Sequence, residues 1–435
     1  MKSFRLPDGF LAGCATAATQ IEGGDRNNSW YEWCEKGMIA DGTSCVRAAD
    51  HWNRYAEDID LMARLNMKVY RMGLEWSRLE PGNGVFDAAA MRHYKDEIGL
   101  LLEKGIKPLV TLHHFSNPLW FCREGEFETE KCVKYFERYT RYVVENLGDL
   151  VSEYITINEP NVYAANGYFF GTWPPGKKDM GLAMKVYRNM TLCHIASYRA
   201  IHELRHAKGC QGETMVGVAN HLRVFDPVSR NPLDFLAAKA MRHVFQDAVM
   251  RSMTDGFLIP PIGLGAPAGT GRFADFLGIN YYSRSMVRCK GFKDETKAGA
   301  PTNDLGWEIY PEGLSRVCRK YYEKYRIPLW ITENGTCDSR DAFRAEYIYR
   351  HLFEVWKLCN AGIPVERYYH WTLTDNFEWT EGESARFGLI ALDYETQKRN
   401  IRKSGRFFGE FCRSNAVTDE LIDKYLVRSD GKQDQ

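Results

Sequence analysis

Leu329-Trp330-Ile331-Thr332-Glu333-Asn334-Gly335 is a short apolar run that stops in a carboxylate and then turns. Residues 329–332 read as a buried strand, and Asn-Gly closes it. Residues 154–157 do the same, running into Asn158-Glu159-Pro160. Working outward, strand-like runs recur at 9–15, 69–72, 108–112, 216–220, 276–280 and 368–371. Longer helical patterns separate them. Eight strands alternating with helices in 435 residues predict an α/β fold, a single-domain (β/α)8 TIM barrel with expanded βα loops, spanning residues 1–435. The long gaps from Asn158 to Val216 and from Asn220 to Phe276 are expected to carry extra helices.

The helices have their own signatures. Asp87 reads as the N-cap of a helix whose apolar face is Met91, Tyr94, Ile98 and Leu101, ended by Gly105 and Pro108. Trp52, Tyr55, Ile59 and Met62 repeat that spacing one unit earlier. A core role suffices for all eight side chains.

Charge narrows the function. Lys plus Arg (57) balance Asp plus Glu (57), and no basic stripe stands out, so neither nucleic acid nor an anionic membrane is an expected partner. A neutral or small ligand fits better. The aromatic content of 13% provides flat apolar faces, most of them needed for packing. Met1-Lys2-Ser3-Phe4-Arg5-Leu6-Pro7 contains no apolar run resembling a signal peptide, and no stretch approaches a membrane span. The 12 cysteines never form Cys-x-x-Cys. The expectation is a cytoplasmic protein with reduced thiols, no metal and no cofactor. Self-association into a homo-oligomer is left open.

Polar residues follow most of the strands: Arg71, His113 and His114, Asn158-Glu159, Asn280-Tyr281-Tyr282, Glu333, and Trp371 followed by Asp375-Asn376-Phe377-Glu378-Trp379. Each has an ordinary structural explanation alone, as a cap, a core histidine or a buried ion pair. In a parallel barrel, however, all eight C-terminal strand ends open onto one face. Two apolar strands that both stop in a carboxylate at one pole point to paired acid/base chemistry.

Thr-x-Asn-Glu-Pro (156–160) and Ile-Thr-Glu-Asn-Gly (331–335) resemble the two carboxylate signatures of glycoside hydrolase family 1. The resemblance extends in order through Gln20-Ile21-Glu22-Gly23, Tyr70-Arg71, Glu75-Trp76-Ser77-Arg78 and Thr111-Leu112-His113-His114-Phe115. It continues through Gly278-Ile279-Asn280-Tyr281-Tyr282, Gly306-Trp307-Glu308-Ile309-Tyr310-Pro311, residues 371–379, Arg386-Phe387-Gly388-Leu389 and Asp393-Tyr394. It implies a retaining β-glycosidase, most simply a β-glucosidase with possible β-galactosidase or β-fucosidase activity. Its substrate would be a small β-glycoside or oligosaccharide. Glu333 would be the nucleophile and Glu159 the general acid/base, roughly 5–5.5 Å apart as direct attack on C1 requires. Arg71, Asn280 and Tyr282 would stand beside Glu333. Gln20, His114, Asn158 and Glu378 would bind ring hydroxyls, with Asn158 directed at the 2-hydroxyl. Trp371 would form the floor, Trp379 would add an indole N–H, and Trp307 would lie on the aglycone side. Trp173 reads as a loop packing residue, and His113 occupies a position the family does not fix.

The resemblance also separates subfamilies. Phospho-glycosidases of the family usually carry Ser at the position of Glu378, then Lys and Tyr where this chain has Ala385 and Phe387. A carboxylate facing a phosphate without a compensating cation disfavours 6-phosphosugars. Plant myrosinases replace the acid/base by Gln, whereas this chain keeps Glu159. Departures lie at Cys14-Ala15-Thr16-Ala17-Ala18-Thr19 and at Phe115-Ser116-Asn117-Pro118, which replaces the commoner Trp-Asp-Leu-Pro. They bear on which hexose is held. Rival readings are a transglycosylase using the same carboxylates and a non-catalytic glycan-binding relative. A metal-dependent hydrolase lacks a clustered ligand set.

Overall fold

The 329–335 run is the seventh strand of a closed parallel barrel in the computed structural model, which describes residues 1–426. The barrel strands are β1 (Leu11–Ala15), β2 (Val69–Gly73), β3 (Lys107–His113), β4 (Glu153–Asn158), β5 (Met215–His221), β6 (Leu277–Asn280), β7 (Leu329–Asn334) and β8 (Val365–Trp371). Each pairs with its neighbour in sequence, and β8 closes on β1. All eight expected strands are present.

The boundaries shift in an informative way. β7 continues to Asn334, so Glu333 sits within the ladder opposite Asn280 of β6. β8 starts at Val365 rather than at 368, because the polar pair Glu366-Arg367 hides its beginning. Arg367 is nevertheless buried, forming a bidentate pair with Glu153 at 2.6 Å in each arm, and Lys107 joins the same carboxylate. These charges fill the N-terminal mouth of the barrel, so the opposite mouth is free for chemistry.

Asp87 caps the helix Ala88–Glu103 as expected, its Oδ1 accepting from the N–H groups of Ala89 (2.7 Å) and Ala90 (3.0 Å). Met91, Tyr94, Ile98 and Leu101 are all buried against the barrel. In the helix His51–Arg64, Ile59 and Met62 are buried, whereas Trp52 and Tyr55 are only half-buried. Trp52 is sandwiched between the His93 ring at 3.7 Å and the Arg78 guanidinium at 3.9 Å.

A buried ion cluster ties these helices to the C-terminal part of the chain. His51 Nδ1 lies 2.7 Å from Asp58, its Nε2 lies 3.0 Å from Glu97, and Arg399 donates to Asp58 at 2.8 Å. Burial opposes charge on His51, but Glu97 and Asp58 outweigh it and lift the imidazole to about 10.

The long connections carry the extra elements. Between β4 and β5 lie Pro160–Ala164, a π-helical turn at Ala165–Phe170 and the helix Met180–Ala207. Between β5 and β6 come Pro232–Arg242, His243–Asp247 and Ala248–Asp255. Three small sheets escape the sequence reading because their strands are short and partly polar. They pair Phe4–Arg5 with Ala416–Val417, Ile390–Leu392 with Arg399–Ile401, and Arg284–Arg288 with both Val224–Pro227 and Lys293–Glu295. The turn after β7 requires Gly335, since a Cβ there would fall 1.9 Å from the Trp371 carbonyl oxygen. All 12 cysteines are free thiols. Among the described residues no helix is long and apolar enough to cross a membrane.

Candidate active site

Glu333 projects from the C-terminal end of β7 and is buried. Its Oε1 accepts from Arg71 at 2.5 Å and its Oε2 from the Tyr282 hydroxyl at 2.6 Å. Arg71, fully buried on β2, also donates to Asn158 Oδ1 (2.6 Å), Thr111 Oγ1 (3.1 Å) and the Thr332 carbonyl (3.2 Å). Four of its five N–H donors are thus engaged, which holds the fork rigid.

Glu159 follows the last residue of β4. Its backbone is left-handed (φ 41, ψ 60), and Pro160 opens the helix behind it. The Glu159 N–H is tied to the Ala219 carbonyl of β5 at 2.7 Å. Its side-chain Oε1 accepts from Asn280 Nδ2 at 2.8 Å and contacts His221 Nδ1 at 3.1 Å. Asn280 also donates to Asn158 Oδ1 at 3.1 Å and accepts from Thr332 at 2.6 Å. A continuous hydrogen-bonded path therefore runs from Glu333 through Arg71, Asn158 and Asn280 to Glu159.

Asn280 stands beside Glu333 in the β6–β7 ladder as expected, but its amide donates to Glu159 rather than to Glu333. Position explains it. Glu333 and Asn280 are partners in the β6–β7 ladder, and the Asn280 side chain turns toward the strand-4 end, where two acceptors converge.

Burial pushes Glu333 up to about 7; Arg71 and the Tyr282 hydroxyl pull it down, while the Glu159 charge adds to the rise. Glu378 is raised to about 8 by burial and by the Glu333 charge, against hydrogen bonds from Trp371 and Gln20.

The remaining expected residues surround this pair. Gln20 Nε2 donates to the Phe377 carbonyl (2.8 Å) and to Glu378 Oε2 (3.2 Å), while its buried Oε1 has no partner among the described residues. His114 Nε2 pairs with Asn158 Nδ2 at 3.0 Å, and its buried Nδ1 also lacks a partner among the described residues. Burial, with Arg71 nearby, holds His114 well below its ordinary range and therefore neutral. Two unpaired buried polar atoms at one pocket are costly unless a ligand hydroxyl meets them. The His114 ring is stacked near Trp371 (5.7 Å) and Trp379 (5.8 Å), which close the pocket with apolar faces. Trp307 is 37% exposed and meets Tyr282 edge-on at 5.8 Å, at the outer rim.

Trp173 packs on Trp30, Phe115 and Trp379. His113 bonds Asn117 at 3.0 Å and packs among Phe127, Phe136 and Tyr163, apart from the carboxyls. His221 and its neighbour Arg223 were missed, although His221 ends a barrel strand just as Asn158 does. No cluster able to hold a metal ion occurs among the described residues.

Comparison with known proteins fits this geometry. The glycosyl hydrolase family 1 profile matches residues 2–256 and 272–417. The chain belongs to glycosyl hydrolase family 1. Beta-glucosidase A of Thermotoga maritima is 32% identical over 95% of this chain and 99% of its own length. A β-galactosidase of Saccharolobus solfataricus is 28% identical over 96% of this chain and 97% of its own. The β-glycosidase structure from Pyrococcus horikoshii superposes with a TM-score of 0.88 at 35% identity, covering 98% of this chain and 99% of that one. The Thermotoga maritima β-glucosidase has been solved with glucoimidazole and with galacto-hydroximolactam bound, both at TM-score 0.87. As a family 1 member this protein is a glycoside hydrolase, a retaining β-glycosidase built on the family's barrel.

Proposed function

We propose that this family 1 enzyme hydrolyses unphosphorylated β-glucosides and β-galactosides, with Glu333 as nucleophile and Glu159 as acid/base. One observation carries the assignment. Both oxygens of Glu333 receive donors, one of them a permanent cation, as suits a carboxylate that must be ionised to attack. Among the described residues only Oε1 of Glu159 is engaged, by an amide and an imidazole group. Its Oε2 is left to carry a proton to the substrate.

In the first step a Glu333 oxygen attacks C1 as the bond to the aglycone oxygen breaks, and the Glu159 proton moves to that oxygen. The aglycone leaves as an alcohol and the sugar is held as an ester. In the second step Glu159 takes a proton from water, whose oxygen attacks C1 and releases Glu333. Two inversions give net retention. Arg71 and Tyr282 keep the departing carboxylate stable. Asn158, held by Arg71 and Asn280, is set to meet the 2-hydroxyl, a contact that strengthens as charge develops at C1.

Gln20, His114, Glu378 and Trp379 would bind the other hydroxyls over the Trp371 face, with Trp307 at the aglycone. Support for both hexoses comes from relatives named for each and from the two sugar mimics bound by the Thermotoga maritima enzyme. Glu378, Ala385 and Phe387 stand where phospho-glycosidases of the family carry Ser, Lys and Tyr, which disfavours a 6-phosphate. With all its cysteines unpaired, we take the working compartment to be the reducing cytoplasm.

The test is a panel of p-nitrophenyl α- and β-glycosides with 6-phosphate counterparts, analysed for products with and without an added alcohol. The reading expects β-gluco- and β-galactosides to be cleaved to free sugar. No release from any β-glycoside would favour a glycan-binding protein, and glycosyl transfer to the alcohol outrunning hydrolysis would favour a transglycosylase.

A further inference from the structure

His221, the last residue of β5, sets Nδ1 3.1 Å from Glu159 Oε1 and stacks its ring along Tyr282 at 5.8 Å and 17°. Arg223 approaches the other ring nitrogen, with its Nε at 3.3 Å and a terminal nitrogen at 3.0 Å from Nε2. An arginine side chain has donors only, so Nε2 must accept, and the ring proton is on Nδ1, aimed at Glu159. The guanidinium is anchored in turn by Ser285 Oγ at 3.0 Å and Asp294 at 3.5 Å, and the Arg223 backbone N–H donates to Gln246 at 3.1 Å. Phe245 covers the ring edge of His221 at 5.9 Å. The charged and titratable groups around the pair are thus Glu159, Arg223 and Tyr282 on His221, Asp294 on Arg223, and Glu333 with Tyr282 across from Glu159.

Asn280 donates to the same oxygen of Glu159 at 2.8 Å. Oε1 therefore collects two N–H donors, and Oε2 has none among the described residues. A carboxylic acid so placed holds its proton on Oε2.

We propose that His221, backed by Arg223, is a positioning residue for the acid/base: it fixes which oxygen of Glu159 carries the proton and donates to the carboxylate as that proton departs. This rests on the reading of Glu159 as the acid/base. The Arg223 charge polarises the imidazole, making Nδ1–H a stronger donor, and occupies Nε2 so that no proton is taken up there. When the Oε2 proton passes to the glycosidic oxygen, the new negative charge spreads to Oε1, where the imidazole N–H meets it. When water is later deprotonated, the same donor keeps Oε2 directed at it.

The experiment compares kcat/KM against pH for wild type, His221→Leu, His221→Asn and Arg223→Met, using aryl β-glucosides of graded leaving-group ability. Asn places an amide N–H where Nδ1 stood. For His221→Leu, the base limb should move to higher pH by about one pH unit, because a donor to the ionised form is lost. Poor leaving groups should lose about 10–100-fold, and dinitrophenyl glycosides less than about threefold. Arg223→Met should shift the limb the same way by less, and His221→Asn should restore it. An unmoved limb in both Leu and Met variants, with equal losses across leaving groups, would reduce His221 to packing. Should the Leu variant fail to fold, the Asn and Met profiles still decide. Glu159→Ala is the separate control: azide should restore cleavage of the dinitrophenyl glucoside as a β-glycosyl azide. Absence of that product would overturn the acid/base reading and the role of His221 with it; its presence beside an unmoved limb would overturn the His221 role alone.

Discussion

Arg71 and Glu333 lie 262 residues apart in the chain and meet at 2.5 Å, and the same guanidinium reaches Asn158 at 2.6 Å, next to Glu159. One side chain on the second strand thus sets the distance between the ends of the fourth and seventh. It pulls Glu333 toward its ionised form against burial while orienting its neighbour.

Arg71→Lys should therefore fail where a charge-conserving change is often mild. An ammonium group cannot span Glu333, Asn158, Thr111 and the Thr332 carbonyl from a single point. The expected loss in kcat/KM on p-nitrophenyl β-glucoside is about 10²–10³-fold, comparable to removing a preorganised donor. Steady-state kinetics on folded protein checks it.

Glu333→Ala should lower turnover by about 10⁴-fold or more. Azide or formate should restore it with an α-configured product, since the small anion attacks from the face the carboxylate occupied. Product stereochemistry by NMR is the measurement, and a β-configured rescue product would move the nucleophile elsewhere.

Glu159→Gln removes a negative charge that helps raise Glu333. The sign follows: with less repulsion, Glu333 ionises more readily, and the acid limb of kcat/KM should move to lower pH. In the wild type that limb should sit above the ordinary carboxylate range. Activated substrates should be spared more than poor ones. A pH series with dinitrophenyl β-glucoside reads the acid limb directly.

His51 makes a prediction about stability. Its folded value of about 10 lies above the ordinary histidine value near 6.5, so its stabilisation is full below about 6.5 and is lost as pH rises through 10. His51→Leu leaves Glu97 without that partner and Asp58 with Arg399 alone. It should cost about 3–5 kcal/mol at pH 6, as for other broken buried ion pairs. Urea denaturation at pH 6 and pH 10 should show the gap between variant and wild type narrowing at the higher pH.

Glu378→Ser should weaken cleavage of plain β-glucosides by about 10-fold, the upper worth of a hydrogen bond between uncharged groups. It should also narrow discrimination against 6-phosphoglucosides by removing an acidic group that turns repulsive as it ionises near pH 8. Paired kcat/KM values for the two substrates test both halves.

Much of this was legible beforehand because apolar runs ending in functional groups are a local signal. The strands around Glu159, Glu333 and Arg71 were found from period and termination alone, and Asp87 announced its helix by capping chemistry. What escaped depends on direction rather than on residue type. The Asn280 amide stands near both carboxyls, and only the course of its side chain shows that it serves Glu159. His221 closes a barrel strand and was open to the same argument as its counterparts, yet its value comes from Arg223 behind it. The beginning of β8 was hidden because Arg367 looks solvent-facing until Glu153 and Lys107 are seen across the barrel mouth.

The left-handed backbone at Glu159 has a consequence for how such an enzyme can change. A side chain bearing a Cβ costs about 1–2 kcal/mol in that conformation, and glycine would relieve it. Selection for ruggedness alone would therefore erase the carboxyl, and only the need to turn over substrate retains it. At this one position, heat resistance and catalysis pull the lineage in opposite directions.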